Sequence, residues 1–516
     1  MSNQNNDSPT KEFYNGRYIF VTGGTGFIGK VLLHKLLVSC PQIERIYLLL
    51  RNRRDTDSIS SRLSNLWSSP ALNYLEQLDP KYKDKIVPVS GDLSKPQLGI
   101  GSADLINLKN QISIVFHLAA TIKFDETLKN SVTINMLGTK RLLELCRDME
   151  KLEALVYVST AFSNCDRFVI NEMLYPSKYD PEHVIKCTQW MDDETLKVIT
   201  PLLLGKHPNT YTFTKAMAEN ILRTDAAGIP TAIVRPSVIL SSVQEPFPGW
   251  LDNFNGPNRL IAMCSQGLSR SVICDKTKQA EVVPVDFVVN VIVCAAWRIA
   301  TTRPKEIVVY NFCSSQLNPI NFETFVSYSL KSMKLHPSEK IVFNPNLTLY
   351  KSKMRHNLLY LLFNKLPALV LDTLILLKGK RPYLADQIKR MTSKMECLEF
   401  FLLNDWHILD CNVQSLNLSL TPKDRDEFPF DVTLIDWEAY INNYVLGVRK
   451  FLLKEKDESL PVATKRLRRI MTIYWLVKSF CIIFFVLKIA QKSSFFTDRL
   501  SSLLLYLIKL LRMFRF

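Results

Sequence analysis

The chain has 516 residues, 47% hydrophobic and 22% charged, which is enough for two or three domains with their own cores and excludes a disordered protein. Its eleven cysteines include no CxxC pair and its seven histidines no HExxH, so neither a disulfide framework nor a structural zinc site is indicated and the thiols are expected reduced and buried. The net charge of +16 is not a nucleic-acid signature: residues 461–516 hold eleven Lys and Arg against Asp498 alone, which leaves +6 for the rest.

The opening "MSNQNNDSPTKEFYN" is polar and lacks the pattern of a secretory signal, so residues 1–15 are expected to be disordered and the chain to start in the cytosol. From Arg17 to about Ala300 short runs rich in Val, Ile, Tyr and Phe alternate with helical spacing. The runs are "RYIFVTG", "RIYLLLR", "KIVPVSGDL", "SIVFHLAA", "ALVYVSTAF" and "PTAIVRPSVIL". This alternation predicts an α/β fold, a Rossmann-like doubly wound parallel sheet covered on both faces, over residues 16–315.

The first strand runs into "TGGTGFIGK", where Gly23, Gly26 and Gly29, with Gly24 between them, open a helix. Glycine there permits a tight turn and lets backbone N–H groups and the helix N-terminus approach a pyrophosphate, so Thr22 to Gly29, including Thr25, Phe27 and Ile28, are expected to bind a dinucleotide. At the end of the second strand an NAD site usually carries an acid, whereas this chain has Arg51, Arg53 and Arg54. Guanidinium groups suit a 2′-phosphate, so NADPH is favoured over NAD, the alternative being a solvated basic loop that includes Asp55 and Asp57. Asp92 and Leu93 of "GDL" are expected to border the adenine, and Ala119 with Ala120 to let the cofactor lie across the strand ends.

"YTFTK" sets Tyr211 and Lys215 on one helix face, where an ammonium would lower the phenol pKa and make it a usable proton donor. The spacing alone carries little, since Tyr474 and Lys478 in the tail share it. The strand before it adds weight by placing Ser159 and Thr160 where the chain leaves the sheet, so that a hydroxyl can face both tyrosine and nicotinamide.

Strand signals fade after Leu317, and residues 316–458 read as a helical C-terminal domain. In it "HNLLYLLFNKLPALVLDTLILLKGK" is expected to be a buried helical pair because Lys365, Pro367 and Asp372 interrupt it. Residues 459–516 read as a basic, apolar membrane-anchoring tail. Met471 to Ala490 is long enough to cross a bilayer, despite Lys478, and Leu500 to Leu511 is short enough to lie in the interface.

The ordered series "TGGTGFIGK", "GDLS", "HLAA", "NMLGTKRLLEL", "VSTAFSNC", "YTFTKAMAE" and "IVRPSVI" resembles the extended short-chain dehydrogenase/reductase superfamily. "EPFPGWLDNFNGP" from Glu245, "VPVDFVVN" and "DWEAYINNYVLGVRKFLLKE" from Asp436 are similar to the alcohol-forming fatty acyl-CoA reductases within it. The resemblance covers all but the first fifteen or so residues. It implies that Tyr211 donates a proton to the developing alkoxide, Lys215 holds the nicotinamide ribose, Thr160 orients the carbonyl with Ser159 second, and Asn135 supports the site or its proton relay.

It further implies NADPH-dependent reduction of a long-chain fatty acyl-CoA through an aldehyde to a primary alcohol, with release of CoA. The expected partners are that substrate and membrane lipid, with no nucleic acid and no metal. The expected location is the peroxisomal or endoplasmic reticulum membrane with the catalytic domain facing the cytosol. A sterol or nucleotide-sugar dehydrogenase or epimerase with the same Thr/Tyr/Lys set, and a non-catalytic NADPH-binding membrane protein, stand as alternatives.

Overall fold

A computed structural model describes residues 8–52, 58–377, 379, 381–386, 388–389 and 396–492. Arg53, Arg54 and the Leu500–Leu511 segment lie outside the described residues.

Seven parallel strands make the sheet: β1 Tyr18–Thr22, β2 Arg45–Leu50, β3 Ile86–Ser90, β4 Ile114–His117, β5 Ala154–Val158, β6 Thr231–Pro236 and β7 Val308–Phe312. Their spatial order is β7-β6-β5-β4-β1-β2-β3. The six apolar runs of the sequence supply β1 to β6. The seventh, "VVYNF", is not among those six runs; it pairs along β6 from Val308 opposite Ala232 to Phe312 opposite Pro236.

Strands β4 and β5 are buried along their whole length, as expected where helices cover both faces. The helices that matter below are α1 Pro9–Phe13, α2 Phe27–Ser39, α3 Gly138–Arg147, α4 Thr210–Asp225, α5 Val285–Thr302, α6 Lys353–Tyr360, α7 Leu366–Leu377, α8 Glu399–Leu403, α9 Trp437–Gly447 and α10 Leu460–Lys492. Helix α5 is apolar enough to resemble a membrane span, yet it is a core helix under the sheet.

The N-terminus departs from the expectation of disorder. Residues 8–15 are ordered: α1 is capped by Ser8, and Tyr14 is wholly buried with its hydroxyl donating to the Val293 carbonyl at 2.8 Å. One buried aromatic anchors a polar segment whose composition alone looks unstructured.

The C-terminal residues do not form a separate core. Thr348–Tyr350 pairs with Ser271–Ile273, His407–Ile408 pairs with Val169–Ile170, and Trp437, Tyr440 and Tyr444 of α9 share one apolar cluster with α2 and α5. The change near residue 316 is therefore one of secondary structure.

The expected buried helical pair is a second departure. Helix α7 packs by Ala368, Leu371 and Ile375 but exposes Leu366, Leu369, Val370, Leu374 and Leu377. The thiols depart in part: seven of the eleven are buried, while Cys397, Cys411 and Cys481 are exposed.

Candidate active site

The sheet order reverses between β1 and β4, and in open parallel sheets ligands bind outside the strand ends at that point. The glycine turn leaves β1 there. Three of its glycines are explained first by packing within the protein: a Cβ on Gly23, whose φ is 76°, would lie 2.6 Å from the Ala119 nitrogen. One on Gly24 would lie 2.2 Å from the Leu48 side chain, and one on Gly29 2.4 Å from the Gly23 carbonyl. Gly26 differs, being the N-cap of α2 with no side chain capping the helix. A helix N-terminus without a side-chain cap is the kind of end that fits a pyrophosphate.

Around this turn the other expected cofactor residues divide. Thr22 hydrogen-bonds His117 Nδ1 at 2.7 Å, and His117 Nε2 meets the Thr139 hydroxyl at 3.1 Å. Burial lowers the His117 pKa to about 3, so this link is neutral. Arg51 lies 3.5 Å from the Asp92 carboxylate, which also accepts from the Ser94 amide and hydroxyl. The Leu93 side chain is packed in the core against Gly138, so that residue offers a ligand its backbone rather than its side chain. Phe27 stacks on Trp250, centroids 5.4 Å apart, and Ile28 packs on the core behind it.

Arg62, which the sequence reading passed over, reaches the Thr25 hydroxyl and the Arg51 carbonyl at 3.5 Å each. It sits on a helix beginning at Ile59, where no local motif marks it.

Asn135 is held within the protein. It lies in a π-helical turn, Val132–Leu137, accepts from the Thr121 amide at 2.9 Å, and donates to the Thr121 carbonyl at 3.1 Å and to Thr214 of α4 at 3.0 Å. It therefore fixes the β4 exit to the helix that carries Tyr211 and Lys215. This is a positioning role, and π turns recur at such sites.

The Tyr211 phenol of α4 lies near Thr160 of the loop after β5, whose hydroxyl accepts from the Phe162 amide at 3.3 Å. Burial pushes the phenol up to about 12, against the opposing effect of Thr160. Lys215 does not produce the lowered phenol pKa expected from the spacing. It donates to the Val158 carbonyl at 2.7 Å, lies 4.2 Å from the Tyr157 ring centroid, and is itself brought down to about 7 by burial, against the pull of Glu219. Desolvation outweighs charge proximity because both groups are enclosed.

Ser159 turns away from Tyr211. Its hydroxyl donates to Glu219, which also takes Ser163 at 2.9 Å and Arg235 through two bonds of 3.0 and 2.6 Å. The expected second carbonyl-orienting hydroxyl is thus part of a buried polar network behind the site.

An aromatic wall closes the other side. Phe124 stacks on Tyr211 at 5.9 Å, and Phe401 of α8 packs on Phe124 at 5.5 Å and on Phe162 at 5.1 Å. Trp406 backs Phe162 and donates to the Cys165 carbonyl at 3.1 Å. Contacts between residues 124 and 401 have no sequence signature.

The "EPFPGW" loop and the residues after it are held beside the turn by three groups from two helices. Asp286, at the start of α5, accepts the amides of Val243, Gln244 and Glu245 at 2.8 to 3.1 Å. Lys35 and Lys30 of α2 pair with Glu245 and Asp252 at 2.9 and 2.7 Å.

A glycine turn at the switch point, with Thr160, Tyr211 and a lysine one helical turn on, is the arrangement of a nicotinamide-dependent oxidoreductase on a Rossmann-type sheet. Two family profiles described as "Male sterility protein" match residues 21–292 and 363–455. Fatty acyl-CoA reductase 1 of Xenopus laevis is 37% identical over 462 residues, 90% of each chain. The human protein of that name is 36% identical over the same span, and fatty acyl-CoA reductase 2 of Mus musculus is 36% identical over 464 residues, 90% of each chain. The chain belongs to the fatty acyl-CoA reductase family.

In fold it is similar to the reductase domain of a nonribosomal peptide synthetase from Mycobacterium tuberculosis, with TM-score 0.57 and 18% identity over 86% of this chain and 97% of that one. The terminal reductase domain of the myxalamid pathway gives TM-score 0.52 and 18% identity over 84% and 90%.

Proposed function

We propose that the chain reduces long-chain fatty acyl-CoA to the primary alcohol with two equivalents of NADPH. The observation that carries this reading is the stacking of Phe124 on Tyr211 within a wall completed by Phe401 and Phe162, whose amide donates to the Thr160 hydroxyl. A polar carbonyl-binding corner is joined there to an apolar surface suited to an acyl chain.

NADPH, when bound, supplies the hydride. The glycine turn and the α2 N-terminus hold its pyrophosphate, Arg51 and Arg62 take the 2′-phosphate, and Lys215 takes the nicotinamide ribose with donors left over after Val158. Tyr211, protonated at any physiological pH, gives its proton to the carbonyl oxygen. Thr160 fixes that oxygen by a hydrogen bond. The hemithioacetal so formed returns its hydroxyl proton to Tyr211 as it expels CoA thiolate. The aldehyde left behind takes a second hydride and the Tyr211 proton to become the alcohol, and solvent reprotonates Tyr211.

Helix α10 is exposed, and within it lies a stretch of mean hydropathy 2.2 that is long enough to cross a bilayer. We read it as the anchor of a protein on the peroxisomal or endoplasmic reticulum membrane, with the reductase domain in the cytosol. The test is turnover of palmitoyl-CoA and stearoyl-CoA by detergent-solubilised full chain, with lipid products identified. Two NADPH consumed per alcohol supports the reading. Aldehyde alone at one NADPH shortens the reaction, and NADH serving equally well removes the assignment of Arg51 and Arg62.

A further inference from the structure

Helix α7 is not a loose apolar helix. Its inner face is pinned by Ala368, Leu371 and Ile375 against Met263, Leu268 and Leu384. Asp372 accepts the amides of Tyr383, Leu384 and Ala385 at 3.0, 2.9 and 2.8 Å. The outer face is nevertheless a continuous stripe of Leu366, Leu369, Val370, Leu374 and Leu377, with Val370 61% and Leu377 77% exposed. Such spacing places these residues on one side of the helix, and a pinned helix cannot turn them inward.

The sequence around this stripe is basic, although Lys351 and Lys353 are paired with Asp275 and Glu399 at 2.8 and 3.5 Å. From Lys351 to Arg381 the sequence carries seven Lys and Arg and a single acid, Asp372, which is buried and occupied with its amides. An apolar stripe between basic ends is the chemistry of a helix lying in the headgroup boundary of an anionic leaflet.

The neighbouring element says which surface covers it. The floor beneath α7 continues from Leu268 to Arg270, whose carbonyl accepts the Thr348 amide at 2.9 Å just before α6. Arg466 of α10 donates to the Glu339 carbonyl at 2.7 Å, and Val342, three residues on, packs into the cluster that holds α7. Beyond Arg466, α10 exposes Trp475, Leu476, Phe480 and Phe485. The two apolar surfaces thus leave the protein from one region.

We propose that α7 and its basic flanks form a second membrane contact, lying in the plane of the anionic leaflet that α10 enters. This goes beyond a tail anchor and stands whatever the enzyme reduces. Lys353 of α6 pairs with Glu399 of α8 at 3.5 Å, so the lipid-facing segment adjoins the helix that carries Phe401.

The experiment places the full chain in phosphatidylcholine vesicles, with or without phosphatidylserine, containing a phospholipid with a photoactivatable diazirine on its acyl chain. Adducts are mapped by mass spectrometry. The expected result is labelling of 366–377 as well as α10, several-fold stronger with phosphatidylserine, and none on the equally exposed Val198 and Leu202. Val370→Asp with Leu374→Asp should abolish labelling of 366–377 and leave that of α10, which also shows that the variant still inserts. Labelling confined to α10 overturns the proposal. So does protection of 366–377 within a cross-linked pair of chains, which would make the stripe a contact between copies.

Discussion

Glu219 stands one helical turn beyond Lys215 and holds Arg235 through two hydrogen bonds of 3.0 and 2.6 Å, with both side chains enclosed. Arg235 also donates to the carbonyls of Asn171 and Met173 at 3.1 and 2.9 Å. Glu219→Gln leaves that guanidinium buried without its counter-charge and should cost about 3–5 kcal/mol in denaturant unfolding. Replacing both, as Glu219→Gln with Arg235→Met, should recover much of the loss, because the uncompensated charge disappears with its partner.

The same carboxylate separates two adjacent hydroxyls. Ser159 donates to Glu219, whereas Thr160 accepts from the Phe162 amide and lowers the pKa of the nearby Tyr211 phenol. Thr160→Ala should therefore lower kcat by roughly 10²-fold or more, the scale of losing a group that stabilises the reacting oxygen. Ser159→Ala should act mainly on stability, by about 1 kcal/mol. Steady-state rates and melting curves on both variants check this, and an equal loss of kcat would return Ser159 to the reacting centre.

Lys215 sets the expected pH behaviour. Its native pKa, about 7, lies below that of an ordinary lysine. Between about pH 7 and the ordinary lysine value the unfolded chain binds a proton that the native chain lacks, so this group makes stability rise with pH across that window. Activity should move the other way if the ammonium is the working form: kcat/KM falls above about pH 7, while Tyr211, near 12, remains protonated. Lys215→Arg keeps its charge and should lose that descending limb, though at a lower rate. A limb that persists in Lys215→Arg would belong to another group.

Where chemistry depends on neighbours in sequence, it was legible. The glycine turn, the six strands and the Tyr211–Lys215 spacing follow from short-range pattern. What the sequence hid depends on distant elements: Phe401 reaches Phe124 from another part of the chain, and Glu219 claims Ser159 from a helix sixty residues on. The exposure of α7 was misjudged because an interrupted apolar run reads alike whether it is pinned on one side or on both. The burial of Tyr211, which pushes its pKa up, is likewise not carried by spacing.

Cofactor choice gives a fourth test. Arg51 and Arg62 converge on Thr25 and Asp92 at the edge of the crevice. Arg51→Ala and Arg62→Ala should each raise the KM for NADPH about tenfold or more, the scale of one charge-assisted contact, and leave that for NADH nearly unchanged. Equal effects on both cofactors would mean that these arginines merely support the loop.

Two glycines far apart in sequence bind the C-terminal region to the site. A Cβ on Gly447 would lie 1.7 Å from the Gly249 carbonyl oxygen, and one on Gly249, whose φ is 76°, 2.1 Å from the Asn443 carbonyl. Both obstacles are backbone, so neither can rotate away. Gly447→Ala must push α9 off the "EPFPGW" loop, and the loop is also tied to α2 by Lys35 and Lys30. The expected cost is about 1–3 kcal/mol of stability, with a rise in KM for the acyl substrate out of proportion to any fall in kcat, because Tyr211 and Thr160 sit on other elements. Unfolding curves and steady-state kinetics on the one variant separate these effects. A normal KM with lowered stability would show that α9 supports the fold without shaping the substrate loop.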